Sequence, residues 1–306
     1  MEMRSEGSGI GLKELLSGAQ LPALPQSAIR LLELSQDPDN GPAEFAVPIE
    51  SDPGLTGQVL RFVNSSYFGF RQEISSIKLA ISLVGIRTIK NFALWSAVFS
   101  LIPNPKCGPF DLKSLWQDSL RRGIFARAFG KILRVADAED LFAAALLQDM
   151  AIPLLAKELP AEYQRLLDAR QDGAIRLSDL EREQFGWTHA EAGGELARRW
   201  SLPETFVTMV EAHIHVDRVD SHDEFSRGSA AVLLSSMLPS VCDEGWTDRE
   251  AFTTLFRRLS SQQAAPLADI FGSVDGEFTE FAPVLKLASP TKTLVDSLSE
   301  FETADA

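Results

Sequence analysis

AAALLQDMAIPLL, residues 143–155, is an apolar run interrupted once, by Gln148 and Asp149. It shows none of the period-two alternation of a half-buried strand, and it is too long for an ordinary buried strand. We read it as helix. Pro153 disfavours the α conformation at Ile152, so one helix is expected to end near Met150 and another to begin at Pro153. An amide and a carboxylate side by side at a buried helix end need partners, because buried polar groups are almost always hydrogen-bonded. What those partners are is the functional question this sequence raises.

Working outward, the same periodicity recurs on both sides. LPQSAIRLLELSQ places Leu24, Ala28, Leu31 and Leu32 on one helical face. Asp52 and Pro53 form a helix start, a capping side chain followed by a proline suited to the first turn. The helix they open carries Leu55, Val59, Phe62 and Val63 on one face and stops at Asn64-Ser65-Ser66. Two apolar helices flank Gly85. IPNPKCGPF, residues 102–110, holds three prolines and a glycine, so helix cannot continue through it and a lobe boundary belongs there. Beyond it, Thr188 and Glu191 have the spacing of a capping box ahead of a helix over 189–200. Helices are also expected in LPETFVTMVEAHI, SAAVLLSSMLPSV and REAFTTLFRRLSS, with a weaker one near 279–287 and a frayed tail from about 290. Trp95, Trp116 and Trp200 are expected in the core. The fold class is all-α.

Composition narrows the function. The chain has 29 basic and 43 acidic residues, a net charge of −14, and residues 217–306 alone carry 7 basic and 16 acidic groups. Such a surface repels phosphate backbones, so nucleic acid is not an expected partner. Cys107 and Cys242 stand alone, which fits a reducing cytoplasm. The polar start MEMRSEGSGI has no signal-peptide pattern, and no apolar run reaches the roughly 18 residues of a membrane span. We expect a cytoplasmic protein without a membrane segment.

The order of short motifs resembles the HDOD family, a bacterial helical signalling domain related to the HD metal-dependent phosphohydrolases. LPALPQSAIRLLEL, SDPGLTGQVLRFVNSSYFG and ISSIKLAISLVGIRTIKNFAL are similar to the family's N-terminal half. LWQDSL, AALLQDMA, FGWTHAEAGGELARRWSLPE and MVEAHIH are similar to its HD-related half. The resemblance implies an extension over 1–17 and an HDOD domain over 18–217, with one lobe to about 104 and an HD-like lobe over about 110–217. Helices over 218–306 would pack on that second lobe and end in a flexible acidic tail. It also implies partners among signalling proteins met in trans, and a pocket that is either structural or takes a small-molecule effector.

The resemblance locates a metal position as well. Matched by motif, the HD family's first histidine falls at Asp118, its His-Asp pair at Gln148-Asp149, and its later histidines at His189 and His213; no aspartate lies between Ser226 and Cys242 to close the set. A neutral amide is a poor ligand for zinc, iron or nickel, and a carboxylate at Asp118 suits harder ions. The expectation is therefore a relict pocket built from Asp118, Gln148, Asp149, His189 and His213, with no metal, no cofactor and no catalytic residue. The alternative is a phosphohydrolase or phosphodiesterase with a remodelled oxygen-rich site, or a pocket that binds a nucleotide near Arg121 and Arg122 without cleaving it. Each residue also has a plainer reading. Asp149 can serve neighbouring helices, His189 can be an exposed first-turn residue, His213 a core histidine, and Asp118 half of a surface ion pair with Arg121 or Arg122.

Overall fold

In the computed structural model, residues 11–19, 23–216, 224–260 and 265–302 are described, and among them there is no strand. Most of the expected extension over 1–17, the linker over 217–223 and the last residues of the tail lie outside the described residues. After α1 (Leu12–Gly18), the first lobe comprises α2 (Gln26–Leu34), α3 (Pro42–Glu50), α4 (Pro53–Val63), α5 (Ile77–Val84) and α6 (Ile86–Leu101). Asp52 accepts the Leu55 N–H at 3.0 Å at the start of α4, as its capping pattern predicted. At the other end, Asn64 clasps the following loop, donating to the Ile74 carbonyl at 2.8 Å and accepting its N–H at 2.7 Å.

The proline-rich segment contains no helix, and the chain re-enters helix at α7 (Leu112–Ile132). This central helix packs against α8 (Ala138–Leu147), α14 (Glu224–Ser236) and α16 (Leu267–Phe281). Between α8 and α14 run α9 (Ile152–Glu158), α10 (Pro160–Ala169), α11 (Leu177–Phe185), α12 (His189–Arg199) and α13 (Glu204–Ala212). α15 (Arg249–Leu259) and α17 (Leu294–Glu302) complete the chain.

One apolar core runs through both lobes and takes in the C-terminal helices. Phe62 of α4 stacks on Phe92 of α6 with centroids 4.0 Å apart and lies 5.4 Å from Phe281 of α16. Polar contacts reinforce the seam. Asn91 of α6 donates to the Glu139 carbonyl and to Asp140, both at 3.0 Å, at the start of α8. Arg127, buried on α7, lies over the Tyr67 and Phe142 rings and pairs with Glu139 and Glu277. Trp95, Trp116 and Trp200 are buried as expected.

Two readings of the C-terminal region are corrected. The helix placed near 279–287 is α16, which begins at Leu267 and ends at Phe281. The tail expected to fray from about 290 instead forms α17, anchored by a fully buried Leu294 and by Asp275, which accepts the Leu294 and Val295 N–H groups at 3.1 Å.

Candidate functional site

The second lobe brings the predicted polar residues to one place by helix geometry. Asp118 and Arg122 lie one turn apart on α7. Asp149 sits in the turn between α8 and α9, His189 is the first residue of α12, and His213 caps the end of α13. Thr188 starts α12 as the capping box predicts, with Glu191 accepting its N–H at 2.8 Å. Close approach is set by small residues on α12. A Cβ at Gly193 would lie 3.0 Å from Val210 of α13 and 3.6 Å from the Gln148 carbonyl.

His189 Nε2, His213 Nε2 and Asp149 Oδ1 form a nearly regular triangle, with edges of 3.2, 3.4 and 3.4 Å. The outer nitrogens are anchored separately. His189 Nδ1 meets Glu181 Oε2 at 2.6 Å, and His213 Nδ1 donates to the Val210 carbonyl at 2.5 Å. With its proton on Nδ1, His213 presents a bare Nε2 that accepts from His189. The second Asp149 oxygen pairs with Arg122.

Electrostatics follow from this packing. Burial opposes ionisation of Asp149, but the Arg122 guanidinium and then the hydrogen bond from His189 hold its carboxyl well below the usual carboxylate range. Burial likewise opposes the charged form of His189, yet the Glu181 charge and then the Asp149 hydrogen bond push it up to about 10. Asp118 moves the other way. Burial raises it, and Arg122, the Ser240 hydroxyl and the Val241 N–H offset only part of that.

Asp118, Arg122, Asp149, His189 and His213 line a cavity of about 490 Å³. Gln148 is fully buried, is not part of the cavity wall, and has no hydrogen-bond partner for either side-chain atom. His189 is buried, not an exposed first-turn residue. Asp118 is also buried, and its carboxylate accepts from Ser240 Oγ at 2.5 Å and Val241 N at 2.9 Å, which replaces the surface ion pair. Arg121 turns from the cavity toward the Pro239 and Lys292 carbonyls. Glu181, Tyr163 and the loop over 239–248 carry no motif and are legible only in three dimensions.

Two ion pairs belong to the cavity wall. Arg170 meets Asp243 at 2.7 Å and Arg176 meets Asp248 at 2.7 Å, joining the α10–α11 turn to the α14–α15 loop. Between the two arginines lies Gly173, in left-handed backbone at φ +93°, where a Cβ would come within 2.4 Å of the Asp243 carboxylate. Gly173→Ala combines a strained backbone with this clash and should cost about 1–3 kcal/mol. Urea unfolding checks it, and a loss below about 0.5 kcal/mol would show that the fold does not depend on this close approach.

The fold is an all-α domain that gathers a buried Asp149, His189 and His213 from separate segments of the chain. The HDOD domain family matches residues 21–216, and the chain belongs to that family. An uncharacterized protein of Treponema pallidum (strain Nichols) is 24% identical over 261 residues, which cover 83% of this chain; the chain spans about half, 49%, of that relative's length. The crystal structure of an HDOD domain protein from Geobacter sulfurreducens is similar at TM-score 0.65 and 22% identity, over 96% of this chain and 93% of the other. A structure from Shewanella amazonensis SB2B is similar at TM-score 0.61 and 20% identity, over 95% and 93%. No helix among the described residues is long and apolar enough to cross a membrane.

Proposed function

We propose that this chain is a non-hydrolytic regulatory module of the cytoplasm. It acts through protein partners met in trans, and its HD-derived cavity takes a small-molecule effector. One observation carries this reading: both oxygens of Asp149 are engaged within the protein, one by Arg122 and the other by His189. Metal-assisted hydrolysis needs an ion that orients and activates water. Here a guanidinium holds an oxygen such an ion would use, and Asp118 is bound to the 240–241 loop. The cavity lining adds to this, with seven aspartates against three arginines and two histidines. A phosphodiester entering it would be repelled.

A second reading has its own support. Ligand atoms about 2.0–2.1 Å from a tetrahedral ion lie about 3.3–3.4 Å apart, the spacing of the Asp149–His189–His213 triangle. Their outer partners are those of metal-bound histidines. One divalent ion would fit there, and it would act as a Lewis acid.

The test mixes the full chain with Mn, Fe, Ni, Zn or Mg and a panel of phosphodiesters that includes cyclic dinucleotides. The expected result is no metal-dependent cleavage. Stoichiometric metal that is lost in Asp149→Ala, together with such cleavage, would replace the regulatory reading with the enzymatic one.

A further inference from the structure

We infer that Glu181 is the positioning residue of this site: its buried carboxylate fixes His189 so that Nε2 is the ring atom facing Asp149 and His213. Glu181 lies on α11, is fully buried, and has no Lys or Arg in ion-pair contact among the described residues. It is nevertheless fully engaged. Oε2 accepts both the His189 backbone N–H at 2.8 Å and Nδ1 at 2.6 Å, and Oε1 accepts the Tyr163 hydroxyl at 2.6 Å.

The double grip by one oxygen decides the ring orientation. His189 opens α12, so its backbone N–H has no partner within the helix, and Glu181 supplies one. The same oxygen then captures the ring through Nδ1. Without it, Nδ1 would lose the partner it has in a buried ring. A buried nitrogen left without a partner there is costly, and a ring rotation would relieve it. Tyr163 holds the carboxylate in turn, itself fixed by full burial and by stacking on Phe185 at 6.2 Å.

The consequence is a polar front of three atoms, His189 Nε2, His213 Nε2 and Asp149 Oδ1, set by two independent anchors. Glu181 holds one histidine and the Val210 carbonyl the other. This role matters to function only if the cavity is a binding site, as proposed above, but its existence does not depend on what binds or on any turnover.

The test is nitrogen and proton NMR of the full chain with ¹⁵N-labelled histidine. Wild type should show a strongly deshielded proton bonded to His189 Nδ1. Glu181→Gln keeps an acceptor but removes the charge, so that proton should persist and move upfield. Glu181→Ala should lose it, while the His213 Nδ1 proton, held by Val210, stays in place and reports an intact fold. Tyr163→Phe should retain the His189 signal. If wild type lacks the Nδ1 proton, or Glu181→Gln leaves its shift unchanged, the assignment is overturned. The Gln variant keeps the test decisive should the Ala variant fail to fold.

Discussion

Asp149→Ala is expected to cost about 3–5 kcal/mol of unfolding free energy, the range for breaking a buried ion pair by removing one partner. The carboxylate is 6% exposed at its side chain and answers Arg122 and His189 together. Removing it leaves a guanidinium and a histidine cation facing each other across an emptied site. Its sequence neighbour should behave in the opposite sense. Gln148 is fully buried with both amide atoms unpartnered. Gln148→Met, of similar length, removes two unsatisfied groups, and unsatisfied buried groups each cost about 1–3 kcal/mol. It should therefore be neutral or stabilising. Urea denaturation of the three proteins decides the matter. A loss under about 1 kcal/mol for Asp149→Ala, or a loss above about 2 kcal/mol for Gln148→Met, would mean that the roles of this pair are misassigned.

That contrast shows what was readable in the sequence. Helical period, capping residues and the proline break are local signals, so α4, the 102–110 segment and the Thr188–Glu191 start were legible. Asp149, His189 and His213 were legible through motif order. Their grouping follows from the packing of α8, α12 and α13, which small residues such as Gly193 allow. Gln148 is assigned to the pocket by motif match to the histidine of a His-Asp pair. Adjacent residues in a helical turn point about 100° apart, so one can face the cavity while the other is buried behind it. Glu181 was invisible because its partners are 8 and 18 residues away, on other helices. For Asp118 the plainer reading, a surface ion pair, fails because the loop that covers it begins at Ser240, 122 residues downstream. The acidic residues of α16 and α17 masked helices whose apolar faces are anchored by Phe271, Phe278 and Leu294.

Stability should fall on the alkaline side because of His189. Its folded pKa is raised to about 10 from an ordinary 6.5. A group whose folded pKa is raised contributes stability that is fully present below its unfolded pKa and is lost as pH climbs through the folded value. The window is therefore about pH 6.5 to 10. Each unit of separation corresponds to about 1.4 kcal/mol, so the loss across that window is on the order of several kcal/mol. The charges that set it are Glu181 first and Asp149 second, with Arg122 working through Asp149. Other groups also respond at high pH, since burial raises the Cys107 and Cys242 thiols and the Tyr163 hydroxyl. Comparison with His189→Gln cancels those contributions. The wild-type advantage over His189→Gln should be largest near pH 6 and shrink steadily toward pH 10. Glu181→Gln should narrow the window from its upper end, because the largest favourable charge is gone. Asp149 contributes in the opposite range. Its lowered pKa gives stability that is present above about pH 3.8 and is lost as acid protonates it, so the two effects separate cleanly along the pH axis. A difference between wild type and His189→Gln that stays flat from pH 6.5 to 10 would show that His189 is not held as a buried cation.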